Sequence, residues 1–147
     1  MEVMRLSELS KGMKFPDYDY TLSSHIIEKY LSGVEANDPL YVDDLYAKES
    51  GFGCLIVPPT TISIYVTPSR VLRTVDKAPP AGLIQAGQRY EFYRPTKRGD
   101  TVTVRASIED LFERKGRQFV VLKGEALDPH GNRISVSYLT FIWPPQP

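Results

Sequence analysis

Apolar and polar residues recur with the helical period along the first half of the chain and with the strand period of two along the second. Asp17-Tyr18-Asp19-Tyr20-Thr21-Leu22 alternates and predicts a first strand. Ser23 or Ser24 can cap a helix after it. Ile26, Ile27, Tyr30 and Leu31 then recur at helical spacing, and Gly33 supplies a stop. Asn37-Asp38-Pro39 reads as a turn, with Asp38 as its Asx-turn residue. Asp43 and Asp44 open a second short helix and Lys48 lies near its end, each charge matching the helix dipole, before Gly51 and Gly53 close it. From Thr60 to about Val75 the helical period returns. Ile62, Tyr65, Val66, Ser69 and Leu72 or Arg73 share a face that suits core packing, and Thr67-Pro68 predicts a kink or a break. Asp76 to Gly82, with two prolines and a glycine, reads as a loop.

The remaining residues read as strands. Leu83 to Tyr93 forms one, ending at Arg94-Pro95. In the next, Val102, Val104, Ala106 and Ile108 alternate with Thr101, Thr103, Arg105 and Ser107. Val120, Leu122, Gly124 and Ala126 mark one face of a third, and Leu139, Phe141 and Trp143 one face of a fourth. Turn signals at Lys97 to Asp100, at Lys115-Gly116 and over Asp128-Pro129-His130-Gly131-Asn132 separate them. Four consecutive strands on short turns predict an antiparallel meander, and helices first with strands after predict an α+β fold. Neither an internal repeat nor a linker interrupts the chain, so residues 1–147 read as one domain.

Composition narrows the function classes. Eighteen basic residues balance eighteen acidic ones, and without a basic run there is no electrostatic reason to expect nucleic acid. Cys54 stands alone, which excludes an internal disulfide and suits a reducing compartment. Met1 to Phe15 lacks the continuous apolar core of a signal peptide, and no stretch approaches the roughly 20 apolar residues of a membrane span. A soluble cytoplasmic protein is the expectation.

Motifs then point to a family. The segment Tyr30 to Asp43, YLSGVEANDPLYVD, resembles the Gly-Asp-x-Asn-Pro-Leu-His signature of the MaoC-like (R-specific) enoyl-thioester hydratases and dehydratases, which have the hot-dog fold. Gly53-Cys54-Leu55-Ile56-Val57-Pro58-Pro59-Thr60 is similar to that family's approach to its central helix. Tyr90 to Pro95 followed by Gly99-Asp100-Thr101-Val102-Thr103-Val104 is similar to its strand–turn–strand. The resemblance runs from Phe15 to Trp143. It implies a sheet of about five antiparallel strands wrapped around one helix, an acyl-thioester substrate on coenzyme A or acyl-carrier protein, and no metal or organic cofactor.

The family's chemistry does not carry over residue by residue. Enoyl-thioester hydration needs a base to activate water and an acid to protonate the α-carbon, supplied in the family by Asp and His. Counted back from Pro39, Ala36 stands where the Asp belongs and Tyr41 where the His belongs. A methyl group accepts no proton, and a phenol of ordinary pKa near ~10 is a poor base at neutral pH. The family's oxyanion hole uses a backbone N–H from the glycine of a His-Gly pair. Here the pair is Pro58-Pro59, and proline has no N–H. The resemblance therefore implies a non-catalytic subunit of a heteromeric hydratase, a heterodimer or heterotetramer, whose MaoC-like partner carries the Asp and His. In that reading Pro58, Pro59 and Thr60 shape the acyl pocket and no residue of this chain is catalytic.

Other residues offer alternatives. Sliding the alignment by one residue brings Glu35 near the lost Asp, so Glu35, with Tyr41, is the fallback for catalysis and the basis of a thioesterase reading. A homodimeric acyl-binding or regulatory module is the alternative from another class. Arg70, Arg73 and Lys77 are spaced to share the exposed side of the kinked helix, as a solvated face or as a site for coenzyme A phosphates. His25 and His130 have no metal-ligand spacing and read as surface residues, Cys54 as a small buried apolar residue, and Lys97-Arg98 as a charged turn.

Overall fold

In the computed structural model, which describes residues 1–147, the predicted strands are present and the longest exceeds its alternating core by several residues. A short strand β1 (Glu2–Val3) precedes β2 (Tyr18–Thr21) and helix α1 (Ser24–Gly33). Two short helices follow, α2 (Pro39–Val42) and α3 (Asp44–Glu49). β3 (Ile56–Val57) leads through a 3-10 turn (Pro59–Thr61) into α4 (Ile62–Tyr65) and α5 (Pro68–Arg73). The rest of the chain is β4 (Lys77–Ala78), β5 (Ile84–Phe92), β6 (Thr96–Lys97), β7 (Thr101–Arg114), β8 (Arg117–Leu127) and β9 (Arg133–Trp143).

Local chemistry sets these boundaries. The Ser23 side chain accepts the Ile26 N–H and starts α1. Asp38 accepts the Leu40 N–H at 2.9 Å, the expected Asx turn, though the turn continues into α2 because Pro39 suits a first helical position. Asp43 caps α3 through the Tyr46 N–H. The central helix breaks at Val66-Thr67, as Thr67-Pro68 predicts, and Thr67 caps the second half by accepting the Arg70 N–H. The break resets the helical phase, so past Val66 the expected stripe keeps Leu72 but loses Ser69. Beyond it Val71 and Leu72 are buried while Ser69 and Arg73 face solvent.

One sheet carries the fold, in the order β2-β7-β8-β9-β5 and antiparallel throughout. The meander is thus three strands long, not four. β5 pairs with β9 at the far edge instead of with β7, whose other side is taken by β2. The link from β5 to β7 is no hairpin: its Thr96-Lys97 pairs with Ile56-Val57 and directs the chain across to the other edge. Lys115 and Gly116 both have positive φ and close the β7–β8 hairpin in the manner of a type I′ turn. The expected loop from Asp76 to Gly82 contains β4, which pairs in parallel with β1. Lys77 accordingly leaves the helix face proposed for it and is held by Glu2 at 2.8 Å and Glu8 at 3.0 Å.

The alternating residues of β7, β8 and β9 form a floor under the central helix. Val102, Val104, Ala106, Ile108, Val120, Leu122, Ala126, Leu139, Phe141 and Trp143 join Ile62, Tyr65, Val66, Val71 and Leu72 in one apolar cluster. Gly124 is what lets the helix break approach the sheet: a Cβ there would lie 2.4 Å from a Val66 methyl. The layer between α5 and the sheet retains a void of only about 20 Å³.

Candidate functional site

Of the candidate residues, Pro58, Pro59 and Thr60 lie at the start of the central helix, close to Tyr30 of α1, whereas Arg70 packs on Tyr20 of β2, at the opposite edge of the sheet from β5. Pro58 is buried and extended, and Pro59 begins the 3-10 turn. The Pro58 carbonyl accepts both the Thr61 N–H at 3.0 Å and the Thr61 hydroxyl at 2.8 Å, so Thr61 closes the turn from inside the core. Thr60 faces outward, and its hydroxyl lies 2.7 Å from the Tyr30 hydroxyl of α1. Neither proline offers an N–H, so the first backbone donor after Val57 belongs to Thr60.

Ala36 and Tyr41 lie on the loop and short helix after α1, both half-buried against the core cluster. The end of α1 is a Schellman motif, with the Ala36 N–H donating to the Leu31 carbonyl at 2.9 Å and the Glu35 N–H to that of Ser32 at 3.3 Å. Glu35 therefore occupies the left-handed position usually given to glycine, at φ 54°, with its side chain exposed. Burial raises the Tyr41 phenol above its ordinary value, and the nearby Asp38 carboxylate and Tyr30 phenol add to the rise. Tyr90 on β5 is raised in the same way, by burial and then by Tyr30, and donates to the Gln88 side chain at 3.0 Å. Tyr41 and Tyr90, their phenols held protonated, thus join the Tyr30 and Thr60 hydroxyls in a hydrogen-bonding surface. It can orient a polar group but has no base for neutral pH.

Arg98 is placed differently from the solvated turn residue its sequence suggests. Its side chain is 16% exposed and runs inward, donating to the Tyr41 carbonyl at 2.7 Å. Arg70 remains at the surface with its guanidinium 4.8 Å from the Tyr20 ring and its Nε donating to the Ile64 carbonyl at 3.3 Å; Arg73 is exposed on the same helix. His25 and His130 are both exposed. Cys54 is only partly buried, in the turn before β3, because the chain there runs over the surface before it enters the core at Ile56. Tyr30, Gln88, Tyr90 and Arg98 escaped the sequence reading. Tyr30 belonged to a helical stripe and Tyr90 to a strand, and neither pattern tells where a hydroxyl ends.

A hollow of about 510 Å³ opens beside Ala36, bounded by Glu28, Ser32, Glu35, Asn37 and Arg98. A larger one, about 790 Å³, lies far from these groups, at the other end of β5 between Arg5, Ile84, Gln118 and Trp143. The first adjoins the Ala36–Tyr41 loop; the second has no candidate chemistry beyond Arg5 and Arg117.

Comparison with known proteins agrees with this architecture. A UPF0336 protein of Streptomyces avermitilis is 27% identical over 137 residues, covering 89% of this chain and 90% of the relative. Among solved structures, the C-terminally truncated HadBC (3R-hydroxyacyl-ACP dehydratase) complex of Mycobacterium tuberculosis aligns with a TM-score of 0.77 at 24% identity, covering 90% of this chain and 96% of that one. The MaoC-like dehydratase of Rhodospirillum rubrum gives 0.76 at 23%, covering 98% and 99%. These likenesses identify the fold as the hot-dog fold of MaoC-like dehydratases and hydratases. The family described as FAS1-like, dehydratase domain region, matches residues 10–136, and the chain belongs to that family.

Proposed function

We propose that this chain, as one hot-dog domain, is the non-catalytic subunit of a heteromeric enoyl-thioester hydratase (3-hydroxyacyl-thioester dehydratase). It shapes the acyl-thioester pocket for a partner that supplies the Asp and His. The observation that carries the reading is Pro58-Pro59 at the start of the central helix. With Ala36 and Tyr41 in the neighbouring loop, base, acid and oxyanion donor are missing together from an otherwise complete frame.

The surface supports a partner of the same fold. β5 has β9 on one side and nothing on the other along nine residues, and a long free edge is a template for another strand. Phe92 and Tyr93 at its end are exposed, as are Val42, Leu45 and Tyr46 on α2 and α3. The likeness to the HadBC complex, itself named as a 3R-hydroxyacyl-ACP dehydratase complex, fits this arrangement. The void under α5 holds about one water, so the acyl chain lies across the β5 edge and not inside this subunit. Pro58, Pro59 and Thr60 line the pocket. Arg70 and Arg73 are the candidates for the carrier's phosphates, on coenzyme A or acyl-carrier protein.

The test is co-expression with a hot-dog subunit that carries the Gly-Asp-x-Asn-Pro-x-His segment, followed by an assay of crotonyl-thioester hydration. Activity is expected from the pair and none from this chain alone. Full activity from the chain alone would sink the reading. A stable self-dimer that ignores catalytic subunits would replace it with an acyl-binding module.

A further inference from the structure

We infer that Arg98 is the positioning residue of this site, fixing the Ala36–Tyr41 loop at a set height over Pro58–Thr60 and so setting where a ligand lies. That this ligand is a thioester rests on the function proposed above; the clamp itself does not.

The base of Arg98 is rigid. It sits in the turn between β6 and β7, where Gly99 adopts φ 92°. The turn is tied on two sides: the Arg98 N–H donates to Leu55 just before β3, and the Gly99 N–H to Leu22 at 2.7 Å, at the β2–α1 junction. Leu22 returns a bond to Asp100, whose carboxylate also accepts the Lys97 N–H. From this base the guanidinium reaches under α1. Nη2 donates to the Tyr41 carbonyl at 2.7 Å, Nη1 approaches Glu28 at 3.4 Å, and Nε is buried with no hydrogen-bond partner, so the tie to Tyr41 offsets only part of the cost of burial. An arginine at a turn ordinarily extends into water, and burying one costs free energy unless its donors are used.

The loop needs such a tie. Its own hydrogen bonds are local: Glu35 to Ser32, Ala36 to Leu31, Tyr41 to Asp38, Asp43 to Pro39 and Leu40 to the Asp38 side chain. Ala36 and Tyr41 add apolar packing, which holds depth but not register. Arg98 joins that loop to the segment that leads into Pro58, so the two halves of the site share one anchor.

Hydrogen exchange over residues 34–43 of the chain alone tests the clamp. R98M is expected to speed exchange there by about tenfold, the worth of one lost charge-assisted tie. R98K keeps a charge and a donor but loses the planar fork, and roughly threefold is expected. E28Q, altering an exposed partner, should stay near wild type. With a catalytic subunit, R98M should raise the thioester KM while kcat stays within about twofold. Unchanged exchange in folded R98M overturns the proposal. If R98M does not fold, R98K exchanging no faster than E28Q overturns it. A looser loop with an unchanged KM reduces Arg98 to a structural residue and overturns the positioning role. An inactive wild-type pair would refute the hydratase reading instead, and the exchange measurements would still decide the clamp.

Discussion

Residues 101–143 and residues 34–61 obey the same local rules to opposite ends. In β7, β8 and β9 the apolar positions facing the helix are buried and charged ones meet neighbours: Lys123 pairs with Glu125 at 3.0 Å, and Arg89 of β5 lies 3.9 Å from the Tyr138 ring centroid. In 34–61 the backbone is as well satisfied, through Asp38, Asp43 and the Thr61 hydroxyl. Its surface, however, stays open. Val42, Leu45, Tyr46 and Phe52 face outward, and the phenol at the centre of the site is held neutral. The three inner strands β7, β8 and β9 are paired on both sides within the chain; the segment is complete only in its backbone, as half of a site would be.

The hardest way to break this contrast is to put the chemistry back. A36D/Y41H restores an Asp and a His but leaves Pro58-Pro59 in place, and crotonyl-thioester hydration by the chain is expected to remain at background. Adding P58H/P59G, which returns an N–H at the start of the helix, should raise the rate by about 10²-fold or more, the worth of one oxyanion donor. Activity from A36D/Y41H alone would mean that the missing donor is not what silences the segment.

The sheet breaks at a different kind of position. G124A places a Cβ against Val66, inside the packed layer, and overpacking of this sort costs about 1–3 kcal/mol. Denaturant unfolding should show that loss with little change in m. A neutral outcome would mean that Val66 can move and that the helix break is not seated on the sheet.

Glu35 separates shape from chemistry within the site itself. E35G relieves a left-handed conformation and is expected to stabilise the chain by about 0.5–1 kcal/mol, after allowing for the greater freedom of unfolded glycine. Hydration by the paired complex should be unchanged. Loss of hydration would make Glu35 a working carboxylate of the hydratase, whereas the thioesterase reading requires thioester cleavage that Glu35→Gln abolishes.

The two regions were also unequally legible. The period of two in Val102–Ile108 and Val120–Ala126 identifies strand, face and burial together, because each residue's environment follows from its parity. Strand order does not follow: nothing in Leu83–Tyr93 says that it reaches β9, since that is decided by the crossing of Thr96-Lys97 over Ile56-Val57. In the site, the losses at Ala36, Tyr41 and Pro58-Pro59 were readable because they are missing groups. Tyr30 against Thr60 and Arg98 against Tyr41 span 30 and 57 residues, and no local pattern carries contacts so distant.

The smallest expected effect lies away from both regions, at the β1–β4 pair. Lys77 lowers the pKa of Glu2 through a hydrogen bond and its charge, and that of Glu8 together with the Arg5 N–H, which is the larger influence there. Its own pKa is raised by the same two carboxylates. For the acids, the folded state holds protons less tightly than the unfolded chain. Their contribution is full above the ordinary value of 4.5 and fades as pH falls through the lowered values. For Lys77 the sign reverses: the contribution is present below 10.5 and is lost as pH rises past the raised value. K77M should flatten both limbs of the stability–pH curve, with little change in the sheet or the site, and added salt should mimic it because all three groups are near the surface. Thermal unfolding between pH 3 and 11 would show it. An acid limb as steep in K77M as in the wild type would assign that limb to the carboxylates along β7 and β8 instead.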